Sequence, residues 1–313
     1  MRNVMNLMIV TNSKYLEPAY VMLTSLFLHH IEDEIDIYLP YEDLTEQELR
    51  ELVQYIEAIP GKRIYPLYIG KEFKERVTSN SGINIETYYR ILGVDLLPKE
   101  VERILYLDVD MVVKGSLWGL YNTQIEGHPF VVCEDIFGII NGFHEENIQR
   151  LAIPEEYTYF NAGVMLFNVA YLRENNCVEE MLESIYRNYQ RYIYNDQDVM
   201  NELYHKKVVF AGWDEYNCPP AWYYLSKKAL EQGKLEFARY SLLQEQASNP
   251  VFAEEYQNVS KQIYDNAKII HYLGDTKPWS KTRKAAVLFE LFDQAYDVYY
   301  KQYMELWAEI FGN

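Results

Sequence analysis

The chain has 313 residues, 49% of them hydrophobic, enough to bury one large core or two small ones. Its 47 Asp and Glu outnumber 29 Lys and Arg, giving a formal net charge of −18. That balance argues against a nucleic-acid partner and against general attraction to anionic lipid, so an anionic ligand would need a metal, a few placed cations or helix N-termini.

The first elements alternate strand and helix. Residues 7–10 read as a short buried strand, too short for a signal-peptide core, and Thr11, Asn12 and Tyr15 fall in the polar loop after it. Pro18 suits the first turn of the next helix, whose Ala19, Leu23, Leu26 and His30 share a face. Residues 35–39 form a second strand. Thr45 and Glu48 then make a capping box that starts a helix with Leu49, Leu52, Val53 and Ile56 inward. A third strand, 63–69, contains Pro66 and belongs near a sheet edge. A short helix at 86–92 leads to a strand at 103–108. This alternation predicts an α/β sheet covered by helices, with ligands beyond the carboxyl ends of the strands.

Asp108 and Asp110 stand at such an end, after one apolar run and before another, Met111, Val112 and Val113. In extended backbone, positions i and i+2 point the same way, so the two carboxylates are set to grip one cation. The plain alternative is a pair of solvated turn aspartates. Strands follow at 129–133 and 163–167, separated by a polar segment, 134–156, that reads as a loop with a short helix. Helices at 178–192 and 197–205, a strand at 208–210, a charged helical insertion at about 225–266 and a short strand at 269–271 complete the order. In the tail, Leu288, Phe292, Tyr296, Tyr299, Tyr303 and Trp307 keep helical spacing. Such a stripe docks on its own domain, with a dimer or membrane surface as the alternatives. The division expected is a catalytic domain at 1–280 and a helical extension at 281–313. No apolar run is long enough to span a bilayer, and Cys133, Cys177 and Cys218 form no paired motif, as expected of a cytoplasmic protein.

The stretch from His271 through Gly274 and Lys277 to Pro278 and Trp279 is the second informative one. A lone histidine ending a strand is more often structural than a ligand. Imidazole with two carboxylates nevertheless suits Mn²⁺ better than Ca²⁺ and leaves positions open for phosphate oxygens, to which Lys277 would add a point charge.

Four ordered blocks carry a family resemblance: Glu86-Thr87-Tyr88-Tyr89-Arg90 with Asp108-Val109-Asp110, then Phe160-Asn161-Ala162-Gly163-Val164, then Asp196-Gln197-Asp198, then His271 to Trp279. Over roughly residues 5–280 the chain resembles glycosyltransferase family 8. The resemblance implies retaining enzymes of the GT-A fold, a Rossmann-like mixed sheet flanked by helices, that use UDP-glucose, UDP-galactose or related donors. It implies that Asp108, Asp110 and His271 bind Mn²⁺, with Mg²⁺ the other candidate ion, and that Gly274 and Lys277 hold the diphosphate. Thr11, Asn12 and Tyr15 would form the uridine pocket, with the Val109 backbone at the ribose. Arg90, Asp135, Asn161, Ala162, Asp196 and Gln197 would surround the donor sugar. Many members have an acidic residue where Asn12 stands; its amide oxygen would accept the uracil N3–H without charge. Gln197 is the family position nearest the anomeric carbon and, with Asp196, the expected catalytic centre. An amide oxygen is a weak nucleophile, so attack by the acceptor on the leaving-group face is favoured.

The acceptor implied is a saccharide or glycolipid, reached from the cytoplasm or the inner membrane face, by a monomer or a homodimer. Two other functions share these motifs. One is a glycogenin-like self-glucosylating protein, against which no tyrosine stands in an obvious flexible acceptor loop. The other is a catalytically silent nucleotide-sugar binder, against which Asp110, His271 and Lys277 are all intact.

Overall fold

The computed structural model describes residues 4–70, 85–140, 143–219, 262–274, 277–279 and 294–312. Its main sheet comprises β1 (Val4–Met8), β2 (Glu34–Tyr41), β3 (Lys62–Tyr68), β4 (Arg103–Leu107), β6 (Phe130–Glu134), β7 (Phe160–Asn168) and β8 (Val209–Ala211). They lie in the order β3-β2-β1-β4-β7-β6-β8. Strands β1 to β4 run parallel and β7 lies antiparallel between β4 and β6, so the sheet is mixed. A second sheet pairs β5 (Met111–Val113) with β9 (Ile269–His271), antiparallel.

Both faces of the sheet are covered, which explains why its strands read as continuous apolar runs. Along β4, Leu105 and Leu107 join one buried cluster while Ile104 and Tyr106 join the other. Along β7, Val164 and Leu166 alternate with Met165 and Phe167 in the same way. Helix α1 (Leu16–His29) packs on the first face, with Pro18 through Phe27 all buried. Helix α2 (Glu46–Glu57) begins at the expected capping box, Thr45 accepting from the Glu48 N–H while Glu48 reaches back to the Thr45 N–H. On the other face lie α3 (Tyr89–Leu96), α4 (His144–Arg150), α5 (Cys177–Asn188) and α6 (Asp196–Tyr204).

Several expectations shift. The first strand spans Val4–Met8 rather than 7–10, so Ile9 and Val10 already belong to the loop. The helix expected at 86–92 is a 3-10 turn, Ile85–Tyr88, continuing into α3. The polar segment 134–156 holds two short helices, Ile136–Ile140 and α4. Asp108 to Asp110 is a bend between β4 and β5, not a continued strand. Beyond it the chain leaves the main sheet to pair with β9, which the apolar run at 111–113 gave no way to foresee. The third strand lies at the sheet edge, as Pro66 requires. Residues 225–261 of the expected insertion lie outside the described residues; 262–266 are helical.

The tail forms α7 (Gln294–Phe311), docked on α1 and α2. Tyr303 stacks on Tyr20 at 5.4 Å between ring centroids, and Trp307 meets the same ring edge-on at 5.1 Å. Tyr20 and Tyr303 are both buried. Their aromatic area makes α7 part of the core that supports α1. Tyr303→Ala is expected to cost about 3 kcal/mol of stability, read as a clear fall in Tm by calorimetry with activity kept below that temperature.

Candidate functional site

The site lies where β1 and β4, parallel neighbours, deliver their carboxyl ends: the 9–15 loop from one, the Asp108–Asp110 bend from the other. Strand β9 adds His271 across from Met111. One ligand atom each of Asp108, Asp110 and His271 falls within 4.8 Å of the others. His271 Nε2 is 3.1 Å from Asp110 Oδ1 and 3.8 Å from Asp108 Oδ2.

The hydrogen bonds fix which nitrogen of that ring is free. The Gly163 N–H donates to Asn161 Oδ1 at 2.9 Å, so that atom is an acceptor. It therefore receives Asn217 Nδ2, at 3.0 Å, and the Asn217 oxygen faces His271 Nδ1 at 2.7 Å. Nδ1 must then carry a hydrogen, so Nε2 is the nitrogen that faces the two carboxylates and the one whose lone pair a metal would take. That is the tautomer a metal ligand needs, oriented by a neighbouring amide. Asn217, buried at 1% exposure, is the residue that sequence reasoning missed; no pattern around it signals the role.

A register shift in β7 supplies the rest. Val132 of β6 pairs with Met165 and Cys133 with Asn161, so Ala162, Gly163 and Val164 have no partner on β6. Freed backbone groups serve side chains instead. The Ala162 N–H donates to Gln197 Oε1 at 3.0 Å, and the Ala162 carbonyl accepts from Arg90 at 2.6 Å. Asn161 Nδ2 also donates to Gln197 Oε1, at 3.1 Å. On its other side Gln197 Nε2 reaches Asp135 Oδ2 at 3.5 Å, and Asp135 Oδ1 accepts the Gly138 N–H at 3.1 Å. A continuous chain thus joins His271, Asn217, Asn161, Gln197 and Asp135.

Arg90 is the positive centre. It pairs with Asp108 at 3.0 Å and with Asp196 at 3.0 Å, lies 4.2 Å over the Tyr106 ring, and is buried at 8% exposure. Burial opposes its charge, but Asp108 and Asp196 outweigh that and hold the guanidinium charged. Tyr106 donates its hydroxyl to Asp108 at 2.6 Å. Lys277 donates to Asp110 and to the Tyr272 carbonyl. Burial opposes ionisation of Asp110 too, yet His271 and Lys277 keep its carboxyl well below the usual range. Asp135 and Asp196 go the other way: burial pushes each up to about 6, the Gly138 N–H opposing it at the first and Arg90 at the second. Four carboxylates (Asp108, Asp110, Asp135, Asp196) meet two cations, Arg90 and Lys277. The donor set of two carboxylates and one imidazole fits a divalent cation.

The first loop is arranged differently from the expectation for a base-reading amide. Asn12 Oδ1 accepts the N–H groups of Lys14 at 3.0 Å and Tyr15 at 3.2 Å, while its Nδ2 donates to Glu86. Thr11 is buried beside it. The Tyr15 ring meets Trp279 edge-on at 6.1 Å, tying this loop to the segment that carries Lys277. Val109 is buried in the bend, and Gly274 sits at φ +80°, a conformation suited to glycine, facing the Phe137 ring.

The mixed sheet thus carries an Asp-x-Asp bend, a histidine and a buried arginine at its carboxyl edge. The family model described as glycosyl transferase family 8 matches residues 6–283, and the chain belongs to that family. Lipopolysaccharide 1,2-glucosyltransferase of Escherichia coli K12 is 27% identical over 274 residues, covering 86% of this chain and 71% of that protein. Lipopolysaccharide 1,3-galactosyltransferase of Salmonella typhimurium is 25% identical over 264 residues, 83% of this chain and 68% of that one. The solved galactosyltransferase LgtC, in complex with donor and acceptor sugar analogues, superposes with a TM-score of 0.68 at 20% identity. It covers 97% of this chain and 96% of its own, so the fold is GT-A.

Two outcomes follow from this geometry. A Cβ on Gly163 would lie 2.3 Å from His271 Cε1 and 2.7 Å from Asp108 Oδ2. Gly163→Ala should therefore weaken Mn²⁺ binding about tenfold or more by isothermal titration while circular dichroism stays unchanged. Asp135 and Asp196 are raised from 3.8 to about 6, so the folded protein keeps protons that the unfolded chain releases. Their contribution to stability declines as pH rises through that window and stays unfavourable above it. Asp135→Asn should raise Tm at about pH 7.5, with the gain vanishing near about pH 4, and should lower turnover.

Proposed function

We propose that this glycosyltransferase moves a hexose, glucose or galactose, from UDP to a saccharide or glycolipid acceptor with retention at the anomeric carbon. The observation that carries the proposal is the Asp108–Asp110–His271 cluster, linked by hydrogen bonds through Asn217 to Asn161, Gln197 and Asp135. Relatives named as a glucosyltransferase and a galactosyltransferase of lipopolysaccharide support the sugar and acceptor classes. Asp108, Asp110 and His271 would hold Mn²⁺, or Mg²⁺ in its place, and the bound ion would offset the charge of the sugar diphosphate. Lys277, whose ammonium donates to Asp110 and to the Tyr272 carbonyl, would bind phosphate oxygens.

The donor-sugar residues divide by charge and polarity. Arg90 keeps Asp108 and Asp196 in place together, so it couples the diphosphate end of the site to the sugar end. Asp135 and Asp196 would accept hydrogen bonds from sugar hydroxyls. Gln197 Oε1 is engaged by two N–H donors, which argues against its acting as a nucleophile. In the front-face route the bond from the anomeric carbon to the diphosphate oxygen breaks, a bond to the acceptor oxygen forms, and that hydroxyl's proton passes to the departing diphosphate. Gln197 would stabilise positive charge developing at the anomeric carbon. Among the described residues no helix is long and apolar enough to cross a membrane, and the three cysteines are buried and free, as suits a reducing cytoplasm.

The decisive experiment incubates the protein with UDP-glucose or UDP-galactose and follows UDP release with and without Mn²⁺. Turnover should require the ion and should be lost in Asp110→Ala. Full turnover in EDTA would overturn the metal role, and no turnover of either donor with a range of saccharides would overturn the activity.

A further inference from the structure

We infer that Arg150 is a positioning residue that clamps a strained turn and so aims Asp196 and Gln197. The inference rests on the reading that those two residues serve the donor sugar. Residues Tyr194 to Gln197 form a β-turn closed by the Gln197 N–H donating to the Tyr194 carbonyl at 3.0 Å. Asn195, the first central residue, has φ 47° and ψ −117°. That is the type II′ geometry, in which this position is normally glycine because a Cβ crowds the backbone there. A non-glycine residue stays in such a conformation only where its surroundings hold it.

The surroundings here are specific. Arg150 at the end of α4 grips both ends of the segment. One of its terminal nitrogens donates to the Arg191 carbonyl at 2.6 Å and to Asp198 Oδ2 at 2.8 Å; the other donates to Asp198 Oδ1 at 3.1 Å. Asp198, with no exposed side-chain surface, also accepts the Tyr159 hydroxyl at 2.6 Å and the Tyr194 N–H at 2.8 Å. All its hydrogen-bonding capacity is spent on this clamp. The pair is therefore neutral and structural in itself, while the two residues between its grips point the other way. Asp196 meets Arg90, and Gln197 meets Asn161 and Ala162. Release of the clamp lets Asn195 relax to an ordinary φ, which rotates both functional side chains away from the sugar site.

The test is a double-mutant comparison of kcat for Mn²⁺-dependent UDP-glucose and UDP-galactose hydrolysis, with UDP affinity and Tm measured alongside. Arg150→Met, which keeps bulk but no charge, should lower kcat about tenfold or more while UDP affinity stays within about twofold. Arg150→Lys should recover part of the loss. Asn195→Gly, added to Arg150→Met, should restore much of the lost kcat, because glycine adopts the turn without a clamp. Asn195→Val should lower kcat in protein that melts near the parent temperature, and this arm stands even if Arg150→Met fails to fold. Parental kcat in folded Arg150→Met, or no gain from Asn195→Gly, would overturn the clamp. Parental kcat in Gln197→Ala would instead overturn the donor-sugar reading on which it rests.

Discussion

Three residues of β7 that lack a partner on β6 are the constraint on which this site depends. A regular ladder to β6 would consume the Ala162 N–H and carbonyl in strand pairing. Freed, they meet Gln197 and Arg90, and the Gly163 N–H beside them meets Asn161. Backbone amides cannot be reversed, so they impose polarity on every amide side chain they touch. Through Asn161 and Asn217 that polarity reaches the His271 ring and decides which of its nitrogens faces Asp108 and Asp110. The candidate cation cluster and the Gln197–Asp135 end of the site are therefore linked across one local irregularity between two buried strands.

The same site is costly to fold. Asp135 and Asp196 are buried to the point where burial holds their carboxyls near 6, and only Arg90 among the site's cations touches either of them. An apolar residue of similar size would cost the fold less. Stability is recovered elsewhere, in the two aromatic-rich clusters and in the tyrosine stack that seats α7 on α1. Arg150 and Asp198 form a different kind of pair, mutually neutralised and with both Asp198 oxygens hydrogen-bonded, next to the costly one.

Much of this was legible in the sequence because periodicity and spacing are local. Apolar runs separated by helical spacing predicted a covered α/β sheet, and the Thr45–Glu48 capping box appears where it was read. The candidate metal ligands were found because two lie two residues apart and the third opens a recognisable block. What could not be read depends on contacts distant in sequence. The bend after Asp108, the pairing of Met111–Val113 with Ile269–His271, and the Asn217 contact to His271 are tertiary facts with no local signature. Asn12 was read as a base-reading acceptor, but its oxygen is turned to the N–H groups of its own loop and its nitrogen to Glu86, an arrangement only the folded chain reveals.

The pairing of β5 with β9 has a consequence for the order in which the molecule is made. His271 lies 161 residues beyond Asp110, so a growing chain presents its two aspartates long before their third partner exists. Until β9 emerges and adds to β5, those carboxylates have Arg90 but neither the imidazole nor Lys277. Vectorial synthesis thus completes the Arg90–Asn161–Gln197 part of the site first and the Asp108–Asp110–His271 cluster last. A nascent chain can shape most of its sheet while its candidate cation cluster still lacks its third member.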